Sequence, residues 1–198
     1  MAKVKICGIN DAGIARRAET LGADYLGFIF AEGSPRCISP GKAAEIAASL
    51  RGAAKRVGVF TGGAAGDILQ MARTVPLDVV QLHGKAWDAG DVCLLRDAGL
   101  EVWTLDGGVA RGDAVVVDGV AHGVSGGTGR LADWGRVAAL KADGVRVVLA
   151  GGISAENARA AAETGCDVLD VNSSLEIRPG VKSLALLDRL FESISRAP

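Results

Sequence analysis

Cysteine and histidine are scarce in this chain of 198 residues, with four of the first and two of the second. Cys7, Cys37, Cys93 and Cys166 are widely and irregularly spaced, which fits neither a disulfide framework nor a zinc site. His83 and His122 do not stand at metal-ligand spacing, so no metal is expected. An excess of either charge is also missing. The net charge is −1, which draws the chain neither to nucleic acid nor to an anionic membrane. No apolar run reaches the roughly 18–20 residues that cross a bilayer. No basic leader with an apolar centre and a cleavage site is present, and the chain reads as cytoplasmic. Low-complexity tracts are lacking too, although glycine is abundant at 28 residues. The glycines stand at the ends of apolar runs, where turns need positive φ or a close backbone approach. The hydrophobic content of 49% and charged content of 23% are those of an ordinary globular protein. The length suits one domain, residues 1–198, with a full core.

What is present is an alternation. Eight short β-branched runs are expected to be strands: Val4–Cys7, Tyr25–Phe30, Arg56–Phe60, Val79–Leu82, Glu101–Leu105, Ala114–Asp118, Val147–Ala150 and Val168–Val171. Several are apolar throughout, as strands buried on both faces are. Alanine-rich amphipathic stretches lie between them. Helices are predicted over Ala12–Leu21, Pro40–Leu50, Asp67–Thr74, Asp88–Ala98, Asp133–Ala142, Ala155–Thr164 and Ser183–Ser195. Ser39-Pro40 supplies an N-cap and a proline at the first helical position. Strands joined by helices at this spacing imply right-handed crossovers and a parallel sheet. Eight units point to an α/β fold of the closed (β/α)₈ barrel type. The alternative, an open doubly wound sheet, lacks its dinucleotide fingerprint, because Cys7-Gly8-Ile9-Asn10 follows the first strand. One unit is short. Asp106 to Asp113 is too brief and too rich in Asp and Gly for a helix, so the fifth helix is expected to be missing or reduced to a turn. The outer faces of the fifth and sixth strands should then be unusually exposed or covered by a partner chain.

In such a barrel all strand carboxyl ends open at one mouth, where the chemistry sits. Cys7 ends the first strand and is either a base or nucleophile or an inert buried thiol. Asp118 follows Ala114-Val115-Val116-Val117 and precedes a glycine-rich loop. It is either a general acid with a raised pKa or a turn aspartate. Arg36 carries a guanidinium fork suited to a carboxylate or phosphate, and His83 closes the fourth strand. Asp170 lies inside the eighth run, where it can orient other groups. Asp106 is a competing strand-end carboxylate in turn context. Gly126-Gly127-Thr128-Gly129, Gly151-Gly152 and Ser173-Ser174 come after strands six, seven and eight. There, backbone N–H groups and hydroxyls can hold a phosphate.

These stretches resemble one family throughout. Lys5-Ile6-Cys7-Gly8-Ile9, Leu26-Gly27-Phe28-Ile29-Phe30, Ser34-Pro35-Arg36-Cys37-Ile38-Ser39-Pro40 and Arg56-Val57-Gly58-Val59-Phe60 run in order. Val80-Gln81-Leu82-His83-Gly84, Gly126-Gly127-Thr128-Gly129 with Asp133-Trp134, Leu149-Ala150-Gly151-Gly152, and Glu176 with Pro179-Gly180-Val181-Lys182 follow. Together they resemble phosphoribosylanthranilate isomerases of tryptophan biosynthesis. The resemblance implies a cofactor-free, aldose–ketose type isomerase that performs an Amadori rearrangement on N-(5-phosphoribosyl)anthranilate. Asp118 would then be the acid that protonates the ring oxygen, Cys7 the base that removes the C2 proton, and Arg36 the holder of the anthranilate carboxylate. His83 and Asp170 would contact the substrate, and the protein would act as a monomer or homodimer on a small phosphorylated molecule. The chain departs from the family at Ser174, where glycine is usual, at Ser183 (aspartate) and at Asn10 (threonine). The short fifth unit and the longer Gly119–Ser125 stretch differ as well. Two other readings are an isomerase of the histidine pathway, whose family has aspartate where Cys7 stands, and an inactive barrel that binds phosphorylated ligands.

Overall fold

The computed structural model describes residues 2–84, 87–119 and 133–195. Eight parallel strands close on themselves in sequence order. They are β1 (Lys3–Cys7), β2 (Tyr25–Ile29), β3 (Lys55–Phe60), β4 (Val79–Leu82), β5 (Glu101–Leu105), β6 (Ala114–Val117), β7 (Val147–Leu149) and β8 (Val168–Val171). β1 pairs β8 in register, with Lys5 opposite Asp170, and this seam closes the barrel. Helices α1 (Ala12–Thr20), α2 (Pro40–Ser49), α3 (Ala65–Thr74), α4 (Ala89–Asp97), α5 (Trp134–Ala142), α6 (Ala158–Glu163) and α7 (Leu184–Ser195) surround it. No described helix is long and apolar enough to cross a membrane. A 3₁₀ turn, Ser173–Leu175, and a small antiparallel hairpin of β9 (Glu176–Arg178) and β10 (Val181–Lys182) follow β8. The sequence reading assigned no element to this hairpin.

Side-chain alternation along each strand sets the layers. Val4, Ile6, Leu26, Phe28, Val80, Leu82, Val115 and Val117 face the helices in one large core. Tyr25, Val57, Val79, Trp103, Ala114, Val116, Val148 and Val168 face inward and fill the bore. The floor of the bore is aromatic. Tyr25 meets Trp103 edge-on with ring centroids 5.0 Å apart. Arg146 donates to the Tyr25 hydroxyl at 2.6 Å and pairs with Glu101, which also accepts from Trp103 Nε1 at 2.7 Å.

One device recurs four times. Asp24, Asp78, Asp113 and Asp167 stand immediately before β2, β4, β6 and β8. Each carboxylate accepts the backbone N–H of a residue on the preceding strand, namely Val4, Arg56, Val102 and Val147, at 2.7–2.9 Å. The barrel is thereby stitched at its floor in pairs of strands.

Most expected helices appear within a few residues of the predicted limits. The largest shift is at α6, which starts at Ala158 rather than Ala155. Ser154 N donates to Asn157 Oδ1 at 2.8 Å, and this local turn competes with the first helical turn. No helix joins β5 to β6, as expected. The expected exposure of these strands is corrected. Val102, Thr104, Val115 and Val117 are all buried. The 106–113 connection folds back along β5. Gly112 N donates to Thr104 Oγ1 at 3.1 Å and Asp113 N to Val102 O at 2.6 Å, and Ala110 turns inward.

A Cβ on Gly112 would run into the carbonyl of Val102. Gly112→Ala should therefore cost about 1–3 kcal/mol in urea unfolding, as overpacking against backbone does. Gly41→Ala, whose Cβ would meet nothing within 4 Å in α2, should instead stabilise by about 0.5–1 kcal/mol.

Candidate functional site

The strand carboxyl ends gather the candidate residues. Cys7 is buried at the end of β1, in the inward-facing phase of Lys3 and Lys5. Asp118 continues the inward phase of Ala114 and Val116 beyond β6 and is half-buried. His83 continues the phase of Val79 and Gln81 beyond β4. Asp170 shares the phase of Val168 on β8. Four candidates scattered over the sequence thus share one bore and one mouth.

Under the mouth lies a buried polar layer. Lys5 Nζ donates to Asp170 Oδ2 at 2.6 Å and to Gln81 Oε1 at 2.7 Å. The other carboxylate oxygen, Asp170 Oδ1, is buried with no hydrogen-bond partner among the described residues, so it is free to accept from a bound ligand. Burial opposes the Lys5 charge, but the anions of Asp170 and Cys7 outweigh it and hold Lys5 above the usual lysine range. Burial holds the Cys7 thiol above its ordinary range and Asp170 adds to this, while the charges of Lys5 and Lys182 pull the other way without overcoming it. Burial also lowers His83, against the opposing pull of Asp118, and leaves a neutral imidazole at neutral pH. Its Nδ1 is buried without a hydrogen-bond partner among the described residues.

Arg36 comes from the β2–α2 loop and is fixed from the far end of the chain. Its Nε and Nη2 donate to the two carboxylate oxygens of Glu176 on β9, at 2.8 and 2.9 Å. Lys182 on β10 donates to Asn172 O and Asn172 Oδ1, both at 3.0 Å, and to Glu176 at 3.4 Å. Burial holds Lys182 below the ordinary lysine range. Gly8, at φ +72°, admits these groups next to Cys7. A Cβ there would lie 2.8 Å from Asn172 Oδ1 and 3.2 Å from Arg36 Cδ. The departure at Asn10 has a local role, because its Nδ2 donates to Gly180 O at 2.8 Å and moors the hairpin. Ser183 helps start α7, accepting from Leu186 N at 3.4 Å.

Gly151 and Gly152 follow β7 with φ of +83° and +67°. A Cβ on Gly151 would strike the backbone of Gly119 and sit 2.9 Å from Asp118 Oδ1, so this glycine lets the β6 and β7 ends close together. Ser173 and Ser174 lie half-buried in the 3₁₀ turn. The Ser174 hydroxyl donates to Ile153 O at 2.6 Å, which ties β8's turn to the loop after β7 and commits that donor. Gly126, Gly127, Thr128 and His122, with most of Gly119–Ser125, lie outside the described residues. Asp106 is drawn away from the mouth into a two-point pair with Arg136, at 2.6 and 2.9 Å.

The sequence reading did not single out Lys5, Gln81 or Lys182 as site residues. A signal existed for Lys5: it is a lysine in an otherwise apolar run, two residues from Cys7 and therefore on the same face. Among the described residues no cluster of His, Cys, Asp and Glu is arranged to hold a metal.

The arrangement sets a thiol beside buried cations, a half-buried carboxyl across the bore, and a clamped guanidinium at the rim. Residues 4–193 match the family model described as N-(5'-phosphoribosyl)anthranilate (PRA) isomerase. An N-(5'-phosphoribosyl)anthranilate isomerase of Rubrobacter xylanophilus is 38% identical over 207 residues, covering 98% of each chain. A crystal structure of phosphoribosyl anthranilate isomerase from Thermus thermophilus superposes with a TM-score of 0.85 at 34% identity, over 98% of each chain. Another solved isomerase, in complex with reduced 1-(o-carboxyphenylamino)-1-deoxyribulose 5-phosphate, gives a TM-score of 0.82 at 27% identity over the whole of both chains.

Glu176 balances two buried cations. Its carboxyl is held below the usual range; burial alone would raise it, and the hydrogen bonds from Arg36 and the charges of Lys182 and Arg36 overcome that. A carboxyl with a depressed folded pKa contributes stability that is full above its unfolded value and is lost as pH falls through the folded one. Glu176→Gln should lower stability at pH 7 by about 3–5 kcal/mol. It should also flatten the loss of stability below about pH 4.5, read from denaturant midpoints across pH.

Proposed function

The chain belongs to the N-(5'-phosphoribosyl)anthranilate isomerase family of tryptophan biosynthesis, and on that premise we propose that Cys7 and Asp118 perform an Amadori rearrangement by general base and general acid catalysis. The substrate is N-(5-phosphoribosyl)anthranilate and the product 1-(2-carboxyphenylamino)-1-deoxyribulose 5-phosphate. Asp118, protonated, gives its proton to the ribose ring oxygen as the C1–O bond breaks, and the nitrogen lone pair forms the C1=N bond. The Cys7 thiolate then takes the C2 proton, and the C2–H electrons make the C1=C2 enolamine. Tautomerisation moves the O2 proton's equivalent to C1 and leaves the C2 ketone. No atom is gained or lost, and no cofactor enters.

The observation that carries this reading is that thiol and carboxyl end inward-facing phases of β1 and β6 at one mouth, with the Lys5 and Lys182 charges on the thiol's side. Arg36, held by two bonds to Glu176, presents its remaining donors to the anthranilate carboxylate. His83 and Asp170 Oδ1, which has no hydrogen-bond partner among the described residues, face the sugar. The phosphate sits on the N–H groups of Gly151 and Gly152, with Ser173 and Ser174 around it. Ser174 contributes its backbone there, since its hydroxyl is committed to Ile153. The enzyme works in the cytoplasm as a monomer or homodimer.

Steady-state assays test this. Asp118→Asn and Cys7→Ala should each lower kcat roughly 10²–10⁴-fold while a reduced product analogue still binds. A loss confined to KM in Asp118→Asn contradicts the acid role. Arg36→Ala should mainly weaken binding of the carboxylated analogue, and unchanged affinity counts against the grip assigned to it. Wild-type turnover equal to that of the Cys7→Ala, Asp118→Ala double variant would leave a ligand-binding barrel instead.

A further inference from the structure

Lys5 takes no part in the proton transfers assigned above, yet it is a fully buried cation directly under the mouth. Placing an ammonium in a packed bore costs several kcal/mol unless its donors are met. It has three N–H donors. Among the described residues, two oxygens accept from it, Asp170 Oδ2 at 2.6 Å and Gln81 Oε1 at 2.7 Å.

The neighbour on the remaining side is Cys7. The two residues are two apart on β1 and project from the same face of the strand. Gly27, paired with Cys7 on β2, leaves space for both. A Cβ at Gly27 would lie 2.9 Å from Cys7 Sγ and 3.1 Å from Lys5 Cε. Any larger residue would part the lysine stem from the sulfur. The strand register, the bare glycine and the two oxygen acceptors therefore all act to hold one cation against one thiol.

A buried thiol is a poor base, because an apolar surround disfavours the thiolate. The charged groups that act on Cys7 are Lys5 from its own strand, Asp170 from β8 and Lys182 from β10. Lys5 and Asp170 act in turn on His83 beyond β4, and the Arg36 stem lies beside Gly8. Lys182 is committed to Asn172 and Glu176. That leaves Lys5 as the cation with a donor to spare.

We propose that Lys5 is a positioning residue for the base: its ammonium, gripped by Asp170 and Gln81, donates its third N–H to the Cys7 thiolate and holds that sulfur ready beneath the substrate. The proposal rests on Cys7 being the base. Lys5 keeps its proton throughout. The substrate's C2 proton goes to sulfur, and the Lys5–sulfur bond weakens as the thiolate becomes a thiol. Asp170 has a double effect, anchoring Lys5 while its own charge opposes the thiolate.

That opposition supplies the test. Alkylation of Cys7 by iodoacetamide is followed against pH in the full chain by mass spectrometry of the Cys7 peptide, with Cys37 and Cys93 in the same digest as references. Lys5→Met should raise the pH midpoint by at least one unit, which is about tenfold slower alkylation at a pH below both midpoints. Asp170→Asn should lower it. The Lys5→Met, Asp170→Asn double variant should titrate above Asp170→Asn alone. Turnover of Lys5→Met should fall at least tenfold in kcat with little change in KM. An unchanged midpoint in Lys5→Met, or shifts of the same sign in both single variants, overturns the proposal. If Lys5→Met does not fold, because Asp170 is left unpaired, the double variant against Asp170→Asn decides the sign. Absence of wild-type turnover would overturn the proposed function, and the alkylation midpoints would still decide for or against Lys5.

Discussion

A cation buried in the bore organises this molecule. Lys5 lies on the first strand and Asp170 on the last, and their contact crosses the seam at which the barrel closes. Such a pair is a poor source of net stability, since desolvating two charges cancels much of their attraction. Its value is positional. The ammonium accepts few geometries, so it fixes the β1–β8 register, orients Gln81 from the opposite side of the bore and sets the electrostatic ground on which Cys7 stands. Below it Tyr25 and Trp103 seal the floor.

A second clamp works at the rim. The β9–β10 hairpin delivers Glu176 and Lys182, whose side chains reach across to Arg36 and Asn172. It is moored by Asn10 and by close packing of Gly180 on Pro35. The role proposed for Arg36, holding a carboxylate without shifting, needs its fork immobilised before the ligand arrives. Glu176 does this at two points. The layer below and the hairpin above share one arrangement: a buried cation is paired with a carboxylate from the far end of the chain.

Much of this was legible in the sequence, for identifiable reasons. Runs such as Ala114–Val117 announce strands buried on both faces, and the parity of Cys7, His83, Asp118 and Asp170 within or just beyond their runs places them on one mouth once the barrel is assumed. The missing helix after β5 could be read from eight residues rich in Asp and Gly. The coverage of β5 and β6 could not, because it depends on Gly112 lying against Val102 O and on Asp113 reaching back to Val102 N. These are tertiary contacts with no local signature. Nor did composition reveal the four aspartates before the even strands, each of which looks like an ordinary turn residue in isolation. The role of Lys5 is not local: the lysine stands in an apolar run two residues before Cys7, but its partners Gln81 and Asp170 lie 76 and 165 residues away.

Those sequence distances bear on how the protein is made. Synthesis proceeds from the amino terminus, so Lys5 emerges long before Asp170 and Arg36 long before Glu176. Until the eighth strand and its hairpin leave the ribosome, a nascent barrel would hold an unmatched ammonium in its half-built bore and a loose arginine at its rim. A partly built chain therefore has little to gain from collapsing early around that charge. Closure of the barrel and assembly of the site become the same late event, and a truncated chain is left open and recognisably unfinished.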